Sequence, residues 1–194
     1  MYSAGKRFRS TDYITSNGIN QSDSHMMKNI EWGAVAYLKQ SNYGLGITDI
    51  TINNNSSYYT GGGTGTSYKT NIGQSTSGNI TGVYDMSGGA WEYVMGNYNK
   101  TAGASGLVDI SGLPAEHMDI YSGTSVNASH LGDALGETAG WYSDYANFVY
   151  SAYPWFKRGG YYGNGDDAGV FCFSYDAGGG STLGGFRVAL SVKE

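Results

Sequence analysis

The clearest hydrophobic pattern in the chain begins near residue 24. Apolar residues recur there at three- and four-residue steps, namely at Met27, Ile30, Ala34, Val35 and Leu38. This spacing predicts an amphipathic helix, which Asp23 or Ser24 would cap and which residues 41–44 (Ser-Asn-Tyr-Gly) would end. Trp32 and Tyr37 lie within the same stretch, and we expect both to pack in the core or against it.

The segments around this helix are polar and rich in glycine. Residues 1–22 lack periodicity and predict an irregular or loosely docked N-terminal arm, and residues 44–82 predict a long surface loop with one short strand at most, near Ile47–Ile52. The glycines at 61–63 lack the following Lys-Ser or Lys-Thr of a phosphate-binding loop. Residues 96–153 are again loop-like. We expect a short helix in them near Pro114–Asp119 and short buried segments at 138–142 and 148–150.

The C-terminal tract, residues 155–190, has a different pattern. Two hydrophobic ends that each carry an arginine, residues 155–160 (WFKRGG) and 185–190 (GFRVAL), enclose a middle made mostly of Gly, Tyr, Asp, Ser and Asn. Glycine gives access to unusual backbone conformations, and Tyr, Ser and Asn provide contact area and adaptable hydrogen bonds. We therefore interpret this tract as a binding surface on a rigid frame.

Composition and net charge argue against some classes of function. The chain of 194 residues fits one domain, and charged residues make up only 14% of it, with 32 glycines and 18 tyrosines. A net charge of −5 with scattered Lys and Arg argues against a nucleic-acid-binding surface. The sequence has no apolar run long enough to span a bilayer and no apolar signal segment at its start.

Charged residues within apolar stretches lead to one structural expectation. Glu92 lies in the apolar stretch 82–94 (GVYDMSGGAWEYV), and Arg158 and Arg187 lie in similar apolar settings. A buried carboxylate needs a partner, so we expect Glu92 to pair with one of the two arginines and to brace the frame.

Four short motifs resemble the formylglycine-generating-enzyme (sulfatase-modifying factor) domains, a branch of the C-type lectin fold. GVYDMSGGAWEYV is similar to their "YDM-x-G-x-x-WEW" signature, and residues 29–32 (NIEW), 158–160 (RGG) and 185–188 (GFRV) are similar to three further motifs in the same order. The resemblance implies an α+β, C-type-lectin-like domain with short strands, one or two helices and a high loop content. It assigns structural roles to Trp32, Trp91, Glu92, Arg158, Phe186 and Arg187.

The catalytic chemistry of that family is not supported by these residues. Its copper site uses a pair of cysteines, and this chain has Cys172 alone. His25, His117 and His130 are far apart and match no iron-binding pattern, so we expect them to be surface or hydrogen-bonding residues. A calcium site formed by Asp166, Asp167 and Asp176 stays an open alternative, because carboxylate oxygens are ligands that Ca²⁺ prefers. We assign no cofactor and no catalytic residue.

The tract also resembles the variable region of the target proteins of diversity-generating retroelements, which display a hypervariable surface on the C-type lectin fold. Adenine-directed variation of Asn codons cannot produce Lys, Glu, Gln, Met or Trp. A 25-residue window of this chain should hold about three such residues, and residues 161–185 hold none. The candidate exchangeable, ligand-binding positions are Tyr161, Tyr162, Asn164, Asp166, Asp167, Cys172, Ser174, Tyr175, Asp176 and Leu183. Cys172, between Phe171 and Phe173, is expected to point away from the two rings.

Together these patterns predict an arm at 1–22 and a C-type-lectin-like domain at 23–194 that carries the variable tract at 155–190. The expected function is non-enzymatic binding of a variable protein or cell-surface ligand, at a bacterial or phage surface, with any anchor outside this chain. Two alternatives stay open: a formylglycine-generating-type copper oxidoreductase acting on protein cysteine, and an adhesin or pilus-tip domain.

Overall fold

The computed structural model describes residues 1–9, 22–61 and 67–192, and the chain has an α+β architecture with much loop. Within these three ranges there are two α-helices, a single turn α1 (Tyr2–Gly5) and α2 (Asn29–Gln40). The strands are β1 (Ser22–Met26), β2 (Trp91–Tyr98), β3 (Asp119–Tyr121), β4 (Trp155–Arg158), β5 (Phe173–Asp176), β6 (Gly184–Phe186) and β7 (Val188–Val192). Short 3₁₀ turns occupy Lys6–Arg9, Ser67–Lys69, Ile72–Gln74, Ala115–His117, Val126–Ala128, Trp141–Ser143 and Gly165–Asp167.

Strand β2 is the centre of a five-stranded sheet. Antiparallel β4 pairs with one edge of β2, where Glu92 is opposite Arg158, and β5 pairs antiparallel with β4. Parallel β6 and parallel β3 share the other edge, β6 beside Trp91–Tyr93 and β3 beside Gly96–Tyr98. A separate antiparallel ribbon joins β1 to β7. All of β2 except its last residue is buried, as expected of a strand that is covered on both faces.

Helix α2 ends where the sequence predicts but begins later and buries a different face. Its C-cap is Ser41, and the Glu31 carboxylate accepts a hydrogen bond from the Lys28 backbone N–H at the first turn. The predicted caps, Asp23 and Ser24, lie instead in β1, because their backbone pairs with β7. The buried helical residues are Asn29, Trp32, Gly33, Ala36 and Lys39.

The predicted apolar stripe of α2 was therefore wrong in part. Ala34 is exposed and Leu38 is 54% exposed, whereas the Lys39 side chain is fully buried with its Nζ 4.4 Å from the centroid of the Tyr142 ring. Gly33 explains the orientation: a Cβ on it would lie 2.1 Å from the Gly132 carbonyl oxygen, so only glycine permits this close approach. Trp32 is fully buried, and half-buried Tyr37 packs against the core, as predicted.

The N-terminal arm differs from its prediction as well. Residues 2–9 are helical rather than irregular, and Gly5 is buried against β1, where its carbonyl oxygen accepts a hydrogen bond from Ser24 Oγ at 3.0 Å. The predicted boundary at 22/23 falls within β1, which begins at Ser22. Residues 10–21 lie outside the described part of the chain.

The two long connecting regions are largely as expected. No strand forms in 44–61 or 67–82, although Asn53 makes an isolated bridge to Gly88 and Ile50 is buried. Of the glycines at 61–63, the last two lie outside the described residues. The short helix near 114–119 is confirmed as a 3₁₀ turn at Ala115–His117.

Of the two buried segments predicted between residues 96 and 153, one is confirmed. Phe148 and Val149 are buried, whereas within 138–142 Trp141 is 41% exposed. The Trp141 ring still contacts the buried Phe171 ring edge-on, at 5.2 Å between centroids.

The two faces of the sheet bury different clusters. The face that carries Val94, Phe156 and Phe173 packs against α2 and forms the larger core. The opposite face, which carries Tyr93, Met95 and Trp155, packs against Met26, Ile110, Met118 and the N-terminal turn. Among the described residues no helix has the length and apolar character needed to cross a membrane.

Candidate ligand-binding surface

The expected Glu92–Arg187 pair is present and braces the end of the chain against the central strand. Arg187 donates from Nε and Nη2 to the two carboxylate oxygens of Glu92, and Nη2 also approaches the carbonyl oxygens of Tyr84 at 3.2 Å and Asp85 at 3.3 Å. Burial raises the pKa of Glu92, and the positive charge of Arg187 opposes that shift. The guanidinium lies 5.4 Å from the Trp32 ring centroid, which links the pair to α2.

Arg158, the other candidate partner, is held by neutral groups. It is fully buried and donates to Asn29 Oδ1 and the Asp133 carbonyl oxygen, both at 3.2 Å, and to the Ala134 carbonyl oxygen at 3.0 Å. Burial lowers the pKa of its guanidinium to about 10. Arg158 therefore ties the loop at 133–134 and helix α2 to strand β4.

The two glycines after Arg158 turn the chain out of the sheet. Gly159 and Gly160 have φ values of +83° and +75°, in the left-handed region. A Cβ on Gly160 would also lie 2.6 Å from the Ala168 Cβ. The RGG motif is thus a structural corner within the tract at 155–190.

The sheet face that carries Tyr93, Met95 and Trp155 is only partly covered by the second cluster. Its remaining part, here called the outer face, carries buried Trp91 and Tyr93 and half-buried Lys157, Ser174 and Asp176. The registers place Tyr93 opposite Lys157 and Lys157 opposite Ser174, so these side chains share a face. Lys157 Nζ donates to Asp176 Oδ2 at 3.3 Å and lies 4.7 Å from the Trp91 ring centroid.

Asp176 is the polar centre of the outer face. Tyr93 Oη donates to its Oδ1 at 2.5 Å, with the Gly179 carbonyl oxygen a second acceptor at 2.9 Å. Although partial burial acts in the opposite direction, hydrogen bonds from Tyr93 and the Gly178 amide, with the charge of Lys157, hold the pKa of Asp176 below its ordinary value. The outer face therefore presents an ion pair of zero net charge among aromatic rings.

Tyr161, Tyr162 and Leu183 lie beside the start of β2. The Tyr162 amide donates to the Gly89 carbonyl oxygen at 2.8 Å, and the Trp91 amide donates to the Leu183 carbonyl oxygen at 2.9 Å. The rings of Tyr161 and Tyr162 meet edge to face at 5.3 Å, and all three side chains are half-buried. These positions thus join the outer face at its end nearest β6.

Tyr58 belongs to the same area, and sequence reasoning missed it. Its ring meets that of Tyr162 at 5.8 Å, and its hydroxyl donates to the Thr182 carbonyl oxygen at 3.3 Å. It also helps to line a small cleft of about 160 Å³ beside Asp85 and Glu92. A tyrosine in a polar loop gives no periodic signal, so only the fold shows its position.

Asn164, Asp166 and Asp167 lie in the turn after the RGG corner. Asn164 Oδ1 accepts a hydrogen bond from the Tyr161 amide at 2.9 Å and so shapes the turn, while Asp166 and Asp167 are exposed. Among the described residues, these two aspartates and Asp176 do not form a group of clustered ligand atoms.

Two of the predicted exchangeable positions do not belong to the outer face. Tyr175 lies on the opposite face, half-buried, where its ring contacts the rings of Tyr150 and Tyr153 at 5.2 Å each. Cys172 is fully buried, and burial raises the pKa of its thiol. The expected outward, exchangeable position of Cys172 was therefore wrong: its amide closes a turn onto the Gly169 carbonyl oxygen, and β5 begins only at Phe173.

A larger cleft of about 400 Å³ lies at the other end of the outer face. It is lined by Tyr93, Met95, Trp155, Gly178–Gly180 and the N-terminal residues Met1–Ser3, among others. Its apolar walls with few polar groups are typical of a small-ligand site. Sequence reasoning did not predict this cleft, because the N-terminal turn that forms one wall was expected to be irregular or loosely docked.

The histidines are arranged differently from the expectation. His25 and His117 are buried and stack at 4.7 Å between ring centroids, with Asp23 bridging them, whereas His130 is exposed and stacks on Tyr121 at 4.6 Å. Hydrogen bonding was predicted for these residues, but burial and clustering of two of them were not. Asp23, His25 and His117 could hold a metal ion.

Comparisons of the chain with models of known protein families, with curated proteins and with solved structures found no match.

Proposed function

We propose that this protein is a non-enzymatic binding protein whose outer face contacts a variable protein or cell-surface ligand. The observation that carries the proposal is the division of the tract: its arginine-bearing ends are locked into the core, whereas most of the intervening Tyr, Asp, Ser and Leu side chains are half-buried or exposed. Such a surface can change its residues without disturbing the charged groups that hold the fold.

The composition of that surface supports recognition rather than chemistry. Tyr58, Tyr161 and Tyr162 supply rigid aromatic area, while Ser174 and the Lys157–Asp176 pair supply hydrogen-bonding groups. Tyrosine and serine have this division of roles in antibody paratopes.

The fold belongs to the same proposal. The motif resemblances favour a C-type-lectin-like domain of the formylglycine-generating-enzyme type, and the central position of β2, the Glu92–Arg187 pair and the RGG corner are compatible with it. We also propose a location at a bacterial or phage surface.

The burial of Cys172 weighs against the oxidoreductase alternative. A thiolate is the form that binds copper or attacks a substrate, and burial raises the pKa of this thiol. Cys172 is the single cysteine of the chain, and it is fully buried, as are its sequence neighbours Phe171 and Phe173.

A pair of display libraries tests the proposal. One library randomises Tyr161, Tyr162, Asp166, Asp167, Ser174 and Leu183; the matched library randomises six frame residues, namely Trp32, Glu92, Arg158, Gly159, Gly160 and Arg187. Survival of limited proteolysis measures folding, and selection against a panel of purified proteins measures binding.

We expect most surface-library members to fold and some to bind a panel protein, while most frame-library members are digested. Equal loss of folding in the two libraries would contradict an exchangeable surface. An independent check is the source genome, where the proposal expects a template repeat that differs from the codons of residues 155–190 chiefly at adenines, near a reverse transcriptase.

A further inference from the structure

A compact group of metal-ligand side chains lies away from the outer face, between β1 and the 3₁₀ turn at Ala115–His117. Asp23 Oδ2 lies 2.8 Å from His25 Nδ1 and 2.8 Å from His117 Nε2, and the three ligand atoms lie within 4.8 Å of one another. We propose that Asp23, His25 and His117 form a structural site for a divalent transition metal ion of the Zn²⁺ type.

The donor set suits this class of ion. Two imidazole nitrogens and one carboxylate oxygen are ligands that Zn²⁺ commonly takes, whereas Ca²⁺ and Mg²⁺ prefer oxygen alone. Three protein ligands leave a fourth tetrahedral position for water. The group therefore selects for a borderline transition metal.

His25 carries the outer hydrogen bond that metal-binding histidines usually have. Its other nitrogen, Nε2, lies 2.7 Å from Glu31 Oε1, and the second oxygen of Glu31 is fixed by the Lys28 amide at 2.8 Å. A carboxylate in this position fixes the histidine tautomer and makes the metal-facing nitrogen more basic. The first turn of α2 thus orients His25 toward the site.

The present distances are those of hydrogen bonds, so metal binding requires a small adjustment. Ligand atoms of a tetrahedral zinc ion lie about 3.3 Å apart for bonds near 2.0 Å, so each distance from a histidine nitrogen to the Asp23 oxygen must lengthen by about 0.5 Å, which a shift of the Asp23 carboxylate and of His117 can supply. The two rings are nearly parallel, with an interplanar angle of 15°, so one ring must also rotate for both lone pairs to meet at one ion.

His117 is the ring that can rotate. Its Nδ1 has no hydrogen-bond partner among the described residues, so rotation about Cβ–Cγ breaks no bond except the one to Asp23 that the metal replaces. His25, held at both nitrogens, stays in place. The site therefore has one fixed and one adjustable imidazole.

Carboxylates lie on both sides of the His25 ring and favour a dication. Asp23 Oδ2 lies 2.8 Å from its Nδ1 and Glu31 Oε1 lies 2.7 Å from its Nε2. An ion at this position would tie β1 to the 3₁₀ turn at Ala115–His117, far apart in sequence.

Zinc titration of the purified full chain, stripped of metal with a chelator and then dialysed, tests the proposal. We expect saturable binding of one Zn²⁺ per chain by calorimetry, and a rise in Tm of about 5–10 °C at a zinc concentration about a hundredfold above Kd. His117→Gln and Asp23→Asn should each weaken binding on the order of a hundredfold, and Glu31→Gln by about 10–100-fold.

The matched control is His130→Gln, which removes the third histidine and leaves the group intact. It should bind zinc as the unmodified chain does. Absence of saturable binding by the unmodified chain, or zinc binding that survives Asp23→Asn and is lost in His130→Gln, would overturn the proposal. Should His117→Gln fail to fold, Asp23→Asn and Glu31→Gln still decide between these outcomes.

Discussion

Removal of the Glu92 charge should destabilise the protein more than removal of the half-buried Lys157 charge on the same sheet. In Glu92→Gln the Arg187 guanidinium keeps its position but loses its counter-ion, in a site where the two side chains are only 12% and 20% exposed. Breaking a buried ion pair costs about 3–5 kcal/mol, and this partial exposure favours a value of about 3 kcal/mol. At about 2–4 °C per kcal/mol for a chain of this length, Tm should fall by about 6–12 °C.

Lys157→Gln is the matched control. Its ion pair with Asp176 lies on the same sheet, at 3.3 Å and with larger exposed fractions of 18% and 29%, so its loss should cost about 1 kcal/mol or less. Urea denaturation of both variants, with m-values compared to confirm equal unfolding, gives the two free energies. If Glu92→Gln costs no more than Lys157→Gln, the assignment of Glu92–Arg187 as a brace of the frame is wrong.

Three further predictions concern the interior. Burial and, second to it, the negative charge of Asp49 raise the pKa of Asp144 from 3.8 to about 7. The folded state therefore binds this proton more tightly than the unfolded state does. As a result, the contribution of protonated Asp144 to stability falls as pH rises from about 4 to about 7. Relative to Asp144→Asn, the unmodified chain should lose about 2 kcal/mol between pH 5 and pH 7 in urea titrations, and parallel pH profiles would contradict this. Gly160→Ala should cost about 3 kcal/mol in the same assay and Gly165→Ala about 1 kcal/mol, since both have positive φ but only the Gly160 methyl group meets Ala168; equal costs would refute the steric account. Cys172 should react with a thiol reagent on the order of a hundredfold more slowly in the native chain than in urea, and a fast native reaction would place the thiol at the surface.

Patterns in the sequence predicted those structural features that depend on residues close together in the chain. The existence and end of α2 followed from periodicity and turn residues, and the Glu92 pair followed from the cost of an unpaired buried charge. The face of α2 did not, because Lys39 is buried beneath an aromatic ring while Leu38 faces solvent. Residue type alone cannot distinguish these two positions.

Features that depend on distant pairing could not be predicted. Asp23 and Ser24 were expected to cap a helix, but residues 188–192 recruit them into a strand. The same pairing sets His25 beside His117, and the docked N-terminal turn forms a wall of the larger cleft. Cys172 was misplaced because a turn, rather than strand alternation, sets its direction.

The central position of β2 has a consequence for how the protein is made. During synthesis this apolar strand emerges before every strand that pairs with it, since β3, β4 and β6 all follow it in the chain. The last of these partners, β6, ends at Phe186, 88 residues after β2 ends at Tyr98, so part of one edge of β2 stays unpaired until then, and β1 waits until β7. Such long-range pairing makes folding slow and exposes strand edges to aggregation, so yield from a cell should depend on translation rate and chaperone supply more than the stability of the finished protein suggests.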